Sequence, residues 1–276
     1  MSWSLLIISL IGIAIVGGTD LCNTTCLIPN GTTSQSTVYT SEGTNFTSER
    51  AINGNMSECA HTLEQQSSWW TIDLLAVYNI SSIKIYNTEH HNSDISDASI
   101  HIGNSRENNS IANNVCKCIT NFIKNSCNDF QCNTSMLGRY ITLSAPKHLV
   151  LCEVRICGTK QESPFELIKE NKTWEDALSH CRDQNKDLAS ILDADSQAWA
   201  ELEARAADTP FVWLALHYTC ILEVWFWVDD HRLEFNRWAP ENNTGDCDMS
   251  GAMQTREDHL WFSMSDYDKF NFICTK

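Results

Sequence analysis

Positive charge is scarce in this chain of 276 residues. Lys and Arg together number 19 against 35 Asp and Glu, which gives a formal net charge of −16 at pH 7. A surface with this excess of negative charge repels phosphate groups. We therefore expect neither nucleic acid nor an anionic membrane among the partners.

The signatures of common enzyme families are also missing. The sequence contains no Gly-x-Ser-x-Gly segment, no His-Glu-x-x-His segment and no phosphate-binding loop. These segments place a nucleophile, a zinc ion or a nucleotide phosphate in a defined geometry. Acidic residues are plentiful but scattered, as on an ordinary solvated surface. We predict that the protein is not an enzyme.

Long apolar runs are absent after the first residues. Residues 3–16 are apolar except for two serines and one glycine, and small residues follow at 17–19. This run is shorter than the ~20 residues of a membrane-spanning helix and has the order of a signal-peptide core and cleavage site. We predict a signal peptide at residues 1–19 and a secreted, extracellular protein without membrane insertion. Because the positively charged start of a signal peptide is missing, a retained anchor stays an alternative.

Cysteine, in contrast, is frequent. Thirteen cysteines behind a leader are typical of disulfide bonds and not of a metal or redox site. The odd number leaves at least one thiol over, which a partner chain could use. Asn-x-Ser/Thr glycan acceptors are dense as well and suit an extracellular glycoprotein; they begin at Asn23, Asn30, Asn45, Asn55, Asn79, Asn108, Asn133, Asn171 and Asn242.

The first half after the leader has a β pattern. Residues 20–36 are polar, and we interpret them as a tail or linker. Residues 37–158 contain alternating runs at 70–74, 80–86 and 138–143, separated by Asn, Ser and Gly. Short alternating runs with such punctuation predict an antiparallel, all-β sandwich.

The second half has a mixed pattern. Residues 159–164 form a polar joint, and helical periodicity follows at 172–185 and 194–207. The remaining runs are aromatic and strand-like. The sequence therefore predicts a second, α+β domain at residues 165–276.

Six spaced blocks mark the first domain. They are Ala51-Ile52-Asn53-Gly54-Asn55, Cys59-x-His61-Thr62, Trp69-Trp70-x-Ile72-Asp73-Leu74, Ile102-Gly103-Asn104-Ser105, Gly138-Arg139-Tyr140 and Leu151-Cys152-Glu153-Val154. In this order the blocks resemble the F-type, or fucose-binding, lectin domain over about residues 36–158. The resemblance implies a jelly-roll-like sandwich, carbohydrate binding and a disulfide between Cys59 and Cys152.

The resemblance implies a sugar site around His61. In the family this histidine acts with two arginines in an Arg-x-Asp-x4-Arg pattern that follows a strand. Here Thr88 and Ile95 stand at the arginine positions and His90 at the aspartate position. A hydrogen bond to a charged group contributes ~1.5–3 kcal/mol, while a millimolar to micromolar site holds only ~4–8 kcal/mol in total. We predict that the usual fucose motif is largely lost and that His61, Thr88, His90 and Ile95 form an altered pocket. A relic histidine packed under the loop is the alternative.

The resemblance also implies a calcium ion that supports the binding loops. Asn53, Asn55 and Glu153 match the ligand-bearing blocks, with backbone oxygens from around Arg50 and Cys152. Calcium binds about six to eight oxygens and prefers carboxylates. Asn53 replaces an aspartate, and a glycan on Asn55 would conflict with metal ligation. Calcium in the first domain is therefore one expectation, and its loss is the other.

Further blocks mark the second domain, namely Thr173-Trp174-Glu175-Asp176-Ala177, Asp187-Leu188-Ala189-Ser190-Ile191, Trp213-Leu214-Ala215-Leu216, Trp225-x-Trp227-x-Asp229, Trp238 and Phe272-Ile273-Cys274. They resemble the C-type-lectin-like domain. Sugar-binding members hold calcium with a Glu-Pro-Asn or Gln-Pro-Asp loop and a Trp-Asn-Asp strand. Here the loop reads Pro240-Glu241-Asn242 and the strand reads Trp261-Phe262-Ser263. We expect no calcium in this domain, and members without these motifs commonly bind proteins.

The remaining disulfides are predicted in part. The second resemblance implies a bond between Cys181 and Cys274 and leaves Cys220 as the candidate partner of Cys247. In the first domain we predict Cys116–Cys132 with Cys118–Cys127 nested inside it, although spacing alone does not fix a pairing. Cys22, Cys26 and Cys157 stay unassigned.

Together these features predict a secreted, glycosylated recognition protein of the lectin class. It would bind a glycan or an extracellular glycoprotein without catalysis. The alternative is a protein–protein recognition factor or decoy, immune or gamete, that binds no sugar. A homo-oligomer and a disulfide-linked partner both stay open.

Overall fold

The computed structural model describes residues 22, 26, 30–89, 93–256 and 258–276. The predicted signal peptide and His90 lie outside the described residues. Within these residues, no helix is long and apolar enough to cross a membrane.

The first domain is a β-sandwich, as predicted. Two short 3-10 helices, Ser48–Ile52 and Glu107–Ser110, lie in its loops. In chain order its strands are β1 (Thr32–Gln35), β2 (Thr40–Ser41), β3 (Thr44–Asn45), β4 (Ala60–His61), β5 (Ser68–Tyr86), β6 (Ser99–Gly103), β7 (Asn114–Cys118), β8 (Cys127–Ala145), β9 (Val150–Leu151) and β10 (Glu153–Lys160).

Strand β5 organises this domain. It runs antiparallel to β1, β8 and β10, and the main sheet continues from β8 to β6 and β7. Inward-facing Trp70, Ile72 and Leu74 are buried, and the residues between them are only half-buried. The predicted runs at 70–74 and 80–86 therefore belong to one strand of 19 residues. Alternation with a period of two buries one face of such a strand in the core.

The sandwich extends beyond its predicted ends. Strand β1 lies within the polar segment 20–36 and pairs with β5 from Thr32 opposite Asp73 to Gln35 opposite Trp70. Strand β10 continues to Lys160, inside the predicted joint, and pairs with the following part of the same β5 edge. The side chains at both ends are polar, so the apolar pattern of the sequence did not predict these strand segments. An edge strand is held by backbone hydrogen bonds and does not need apolar side chains.

The second domain is α+β. Its elements are β11 (Phe165–Lys172), α1 (Trp174–Arg182), α2 (Ala194–Ala204), β12 (Phe211–Thr219), β13 (Val224–Trp227), β14 (Met249–Gln254), β15 (Trp261–Ser265) and β16 (Phe270–Thr275). The sheet order is β11-β16-β12-β14-β15, with β13 paired to β12. Strands β12 and β16 are parallel, and the other pairs are antiparallel.

Both predicted helices are present and are shorter than their periodic patterns. The Thr173 side chain caps α1 by accepting from the Asp176 N–H, and Asp193 and Ser196 form a reciprocal capping box at α2. These side chains satisfy N–H groups that the first turn leaves without partners. Caps therefore fix where each helix begins, and Cys181 lies buried on the inward face of α1.

Six disulfides join the described cysteines. Four have the predicted pairings, and they are Cys59–Cys152, Cys116–Cys132, Cys181–Cys274 and Cys220–Cys247. The other two are Cys22–Cys127 and Cys26–Cys157.

The predicted Cys118–Cys127 bond is wrong. Cys118 ends strand β7, where it pairs with Ser99 of β6. Cys127 begins β8, where it pairs with Tyr86 of β5, and the N-terminal segment brings Cys22 to it. The two cysteines are close in sequence but belong to strands with different neighbours. Cys118 is exposed and forms no disulfide in the described part of the chain.

Buried ion pairs join the two domains. The fully buried Arg139 guanidinium donates to both carboxylate oxygens of Asp73 at 2.8 Å and to Glu201 of α2 at 2.9 Å. Arg205 of the second domain reaches Asp73 at 3.2 Å. Burial disfavours a charged guanidinium, but Tyr140, Asp73 and Glu201 outweigh it and raise the pKa of Arg139. The arginine therefore stays charged and holds α2 against the sandwich.

Polar contacts support this junction on one side. The side-chain amide of Asn104 donates to Asp195 at the start of α2, with 2.6 Å between nitrogen and oxygen. The side-chain oxygen of Asn104 accepts from the Arg139 backbone N–H at 2.8 Å. Arg106 donates to the Tyr140 hydroxyl at 2.6 Å. The bond from Asn104 to Asp195 crosses between the domains, and the other two bonds lie within the first domain beside it.

Candidate functional site

Strand β4 holds His61 in place through its backbone. The residue lies opposite Val150 of β9, its N–H donates to the Phe46 carbonyl at 3.0 Å, and its carbonyl accepts from the Tyr39 N–H at 2.9 Å. Gln35 adds a side-chain hydrogen bond to the same carbonyl at 3.1 Å. The imidazole therefore projects from a backbone that is bonded on several sides.

Aromatic rings surround the half-buried imidazole of His61. The ring of Tyr39 lies 4.5 Å from it between centroids, that of His148 lies 5.4 Å away, and that of Phe46 meets it edge-on at 6.2 Å. Burial, followed by repulsion from His148, lowers the pKa of His61 to about 4. The ring is therefore neutral at physiological pH, with one N–H donor and one nitrogen acceptor.

An arginine completes this group, although not at either position that the family uses. The Arg50 guanidinium lies over the Phe46 ring, 5.2 Å from its centroid. We call Tyr39, Phe46, Arg50, His61 and His148 the His61 cluster. It combines two aromatic faces, a neutral histidine and a cation, which are the groups that recognise the faces and hydroxyls of a sugar.

The loop that carries Thr88 is attached beside the cluster. The Asn87 amide donates to the carbonyl of Val150, opposite His61, at 2.6 Å and to the Ser93 carbonyl at 2.8 Å. Thr88 is half-buried, and its hydroxyl finds no hydrogen-bond partner in the described part of the chain. A buried hydroxyl without a partner is costly, and residues 90–92 of the same loop lie outside the described residues.

Ile95 is not a site residue, contrary to the prediction. Its side chain is 0% exposed and belongs to the hydrophobic core of the sandwich. An aliphatic side chain at this position gains free energy by leaving water, so it packs inward where the family's arginine would reach a sugar. A side chain buried in the core in this way does not contact a ligand.

The buried predicted calcium ligand already has a counter-charge. Glu153 is 0% exposed, and its carboxylate pairs with the Arg155 guanidinium at 3.2 Å. Arg155 also donates to the carbonyl of Cys22, whose disulfide anchors the N-terminal segment. Cys152 is buried in its disulfide, and its N–H donates to Asn87 at 3.1 Å.

The other predicted calcium ligands are exposed, and their side-chain oxygens are engaged. The Asn53 oxygen accepts from the Asn55 N–H at 2.8 Å, and the Asn55 oxygen accepts from the Ser57 N–H at 3.1 Å. In the residues that the structure describes, no group of three or more His, Cys, Asp or Glu could hold a metal ion. Calcium takes about six to eight oxygens, and amide and backbone carbonyl oxygens count among them. Calcium stays a prediction that the proposed function does not use.

The corresponding loop of the second domain is held by its own contacts. Trp238 packs on Trp225 at 4.8 Å and on Trp261 at 5.9 Å between ring centroids. The Asn242 carbonyl accepts from the Ser263 N–H at 3.0 Å, and its amide donates to the Pro240 carbonyl at 2.8 Å. These contacts give the loop a structural role, and the expected lack of calcium there stays a prediction.

Comparison with known proteins identifies both domains. Residues 50–143 match a family model described as a NedA-like, galactose-binding domain, and residues 170–276 match the lectin C-type domain. The fucolectin of Anguilla anguilla is 34% identical over 121 residues, which cover 41% of this chain and 77% of that protein. The chain belongs to the fucolectin family. The predicted order, an F-type lectin domain followed by a C-type lectin domain, is confirmed.

Other fucolectins match a similar part of the chain. Fucolectin-1 of Anguilla japonica is 40% identical over 115 residues, which cover 38% of this chain and 65% of that protein. The chain thus spans less than two thirds of the length of this relative. A crystal structure of an F-lectin from Morone saxatilis serum is 29% identical and covers 53% of this chain and 55% of that chain, with a TM-score of 0.45.

Sequence reasoning found His61 but missed its neighbours. Residues Glu42 and Gly43 both have positive φ and form the turn between β2 and β3. A two-residue turn ending in glycine predicts a hairpin, and this signal could have placed Tyr39 beside Phe46. No local pattern marks His148.

Proposed function

We propose that this protein is a secreted, non-catalytic glycan-binding protein and that its first domain binds sugar at the His61 cluster. The observation that carries the proposal is the half-buried, neutral His61 imidazole between Tyr39 and His148. The six disulfides support an extracellular location, where such bonds persist.

The chemistry of the cluster suits a sugar ring. A neutral imidazole donates to one hydroxyl and accepts from another, and the faces of Tyr39 and Phe46 suit the apolar side of a pyranose. Arg50 supplies one cation where the family motif has two arginines, and a charged hydrogen bond contributes about 1.5–3 kcal/mol. We therefore expect binding of a single sugar in the millimolar range, about 4 kcal/mol, and stronger binding of multivalent glycans.

The names of the relatives suggest which sugars to test. The curated relatives are called fucolectins, and the matching family model is described as galactose-binding. A glycan array with fucose-terminated and galactose-terminated structures therefore covers the relevant class. The full-length chain would be applied with calcium and with EDTA, since calcium is not required by the proposed site.

His61→Ala tests the location of the site. We expect it to remove array binding, because it deletes the donor and the acceptor that face the ligand. His180→Ala in the second domain is the matched control, since that histidine is also partly buried and touches a phenylalanine ring. Binding that survives His61→Ala would place the sugar elsewhere. No signal on any glycan, for a folded wild-type chain, would refute the function itself.

A further inference from the structure

An exposed apolar tip lies at the end of the β12–β13 hairpin. Ile221 is 92% exposed, Leu222 is 70% exposed and Val224 is 47% exposed. Single apolar residues are common on protein surfaces, but neighbouring aliphatic groups with this exposure are not. We call Ile221, Leu222 and Val224 the hairpin tip.

A disulfide and hydrogen bonds anchor the hairpin tip. Cys220 is bonded to Cys247 of the following long loop, and the Trp225 indole N–H donates to the Asn243 carbonyl of that loop at 3.1 Å. The turn closes with a hydrogen bond from the Glu223 N–H to the Thr219 carbonyl at 2.8 Å. A segment held in one conformation loses little entropy when a partner binds, so these bonds favour recognition.

A cleft of about 530 Å³ adjoins the tip. Leu222 and Val224 form part of its wall, and Phe226 and Leu233 continue the apolar lining. The cleft is also lined by Trp227, a fully buried residue whose indole N–H has no hydrogen-bond partner in the described part of the chain. Leu222 and Val224 belong to both the tip and the cleft, so the two adjoin, and the cleft can receive a side chain.

Carboxylates surround this surface. Glu223 lies within the tip, Asp230 lines the cleft, and Asp246 and Asp248 flank the disulfide-bonded Cys247; all four are exposed. Arg232 contributes one positive charge to the cleft. The whole chain adds to this field with its net charge of −16. A basic partner is attracted to such a surface, whereas an acidic one is repelled.

We propose that the hairpin tip and its cleft bind a protein whose contact surface carries apolar side chains surrounded by Lys and Arg. The aliphatic side chains of the tip itself offer a sugar neither a donor nor an aromatic face. The carboxylates repel an anionic bilayer, and they also repel a second copy of this chain, which carries the same charges. This site is separate from the His61 cluster and does not depend on sugar binding.

Selection from a random peptide library on phage tests the proposal. The library would be panned on the immobilised full-length chain and, in parallel, on the Ile221→Asp/Leu222→Asp double variant. Ile123→Asp is the matched control, because Ile123 is an aliphatic residue of the first domain that is 67% exposed. Unchanged melting of all variants would show that they fold, as expected for exposed positions.

The expected result is enrichment of peptides that combine apolar residues with Lys or Arg. The double variant should weaken their binding about 10- to 30-fold, as for residues at the centre of an interface, and Ile123→Asp should not. Higher salt should weaken binding as well. Enriched peptides without basic residues, or no enrichment over the double variant, would overturn the proposal. Binding to phosphatidylcholine vesicles that the double variant loses would also overturn the proposal, because the occupant would then be a bilayer. Self-association in sedimentation that the double variant loses would overturn it too, because the occupant would then be a second copy of this chain.

Discussion

Replacement of Arg139 by methionine should destabilise the whole chain. The substitution keeps the apolar length of the side chain and removes the charge that pairs with Asp73 and Glu201. The side chains of these acids are only 14% and 6% exposed, so water cannot replace the guanidinium. Breaking a buried ion pair in this way costs about 3–5 kcal/mol.

Neighbouring groups place the expected cost near the lower end of that range. Arg205 still reaches Asp73 at 3.2 Å, and Arg106 still lies 3.9 Å from Glu201. We therefore expect a loss of about 3 kcal/mol, which corresponds to about 6–12 °C in Tm for a cooperative unit of about 150–250 residues, as when both domains unfold together. Denaturant and thermal unfolding of the oxidised full-length chain would measure it.

A matched surface substitution provides the control. Lys169 pairs with Asp208 at 3.6 Å, with both side chains more than half exposed, so Lys169→Met should change stability by less than about 1 kcal/mol. A double variant with Glu201→Gln should lose less than the sum of its single variants, because the acid that Arg139→Met leaves unpaired is then neutral. If Arg139→Met has no larger effect than Lys169→Met, the buried network does not hold the domains together.

Three further predictions concern single residues. Because the pKa of His61 is about 4, sugar binding should stay constant from about pH 7 to pH 5 and fall only as the pH approaches 4. Stability should also fall below about pH 6.5, because there the unfolded chain binds a proton that the folded histidine does not bind. A midpoint of sugar binding near pH 6.5 in calorimetry would contradict this pKa. Calcium added to EDTA-treated protein should change Tm by no more than about 1 °C, because the Arg155 guanidinium already neutralises the charge of the Glu153 carboxylate. A rise in Tm of about 5 °C would show that the metal binds. Thiol titration of the native protein should find one reactive thiol, Cys118, and the Cys118→Ser variant should show none. The free energy of unfolding of this variant should differ from the wild type by less than about 0.5 kcal/mol. A Cys118 that stays unreactive in the wild type would indicate a further partner.

Sequence patterns predicted the elements whose side chains alternate or repeat with a clear period. Strand β5 and the two helices follow from such periods, because burial of one face requires them. Strand β1 did not, because its polar residues pair through the backbone along an edge. The same limit explains Cys118 and Cys127, since spacing in sequence carries no information about which strands are neighbours.

The candidate site was predictable in one residue and not in its surroundings. His61 was marked by its block, but His148 reaches it through the pairing of β4 with β9, which joins distant parts of the chain. Arg50 was expected to offer a backbone oxygen, and the stacking of its side chain on Phe46 was not predicted. A comparison of the family's two arginine positions with this sequence could not find Arg50, because this arginine lies in another segment of the chain.

The junction between the domains determines how their two proposed sites can act together. Linked sites gain avidity only when both can reach their ligands at once, and a flexible linker permits many spacings at low effective concentration. Here Arg139 and Asn104 bond directly to α2, so the His61 cluster and the hairpin tip are held on one body. Such a body favours a target that presents a glycan and a basic, apolar protein surface at one matching distance. A glycoprotein can present both, whereas a free glycan or an unglycosylated protein would engage only one site.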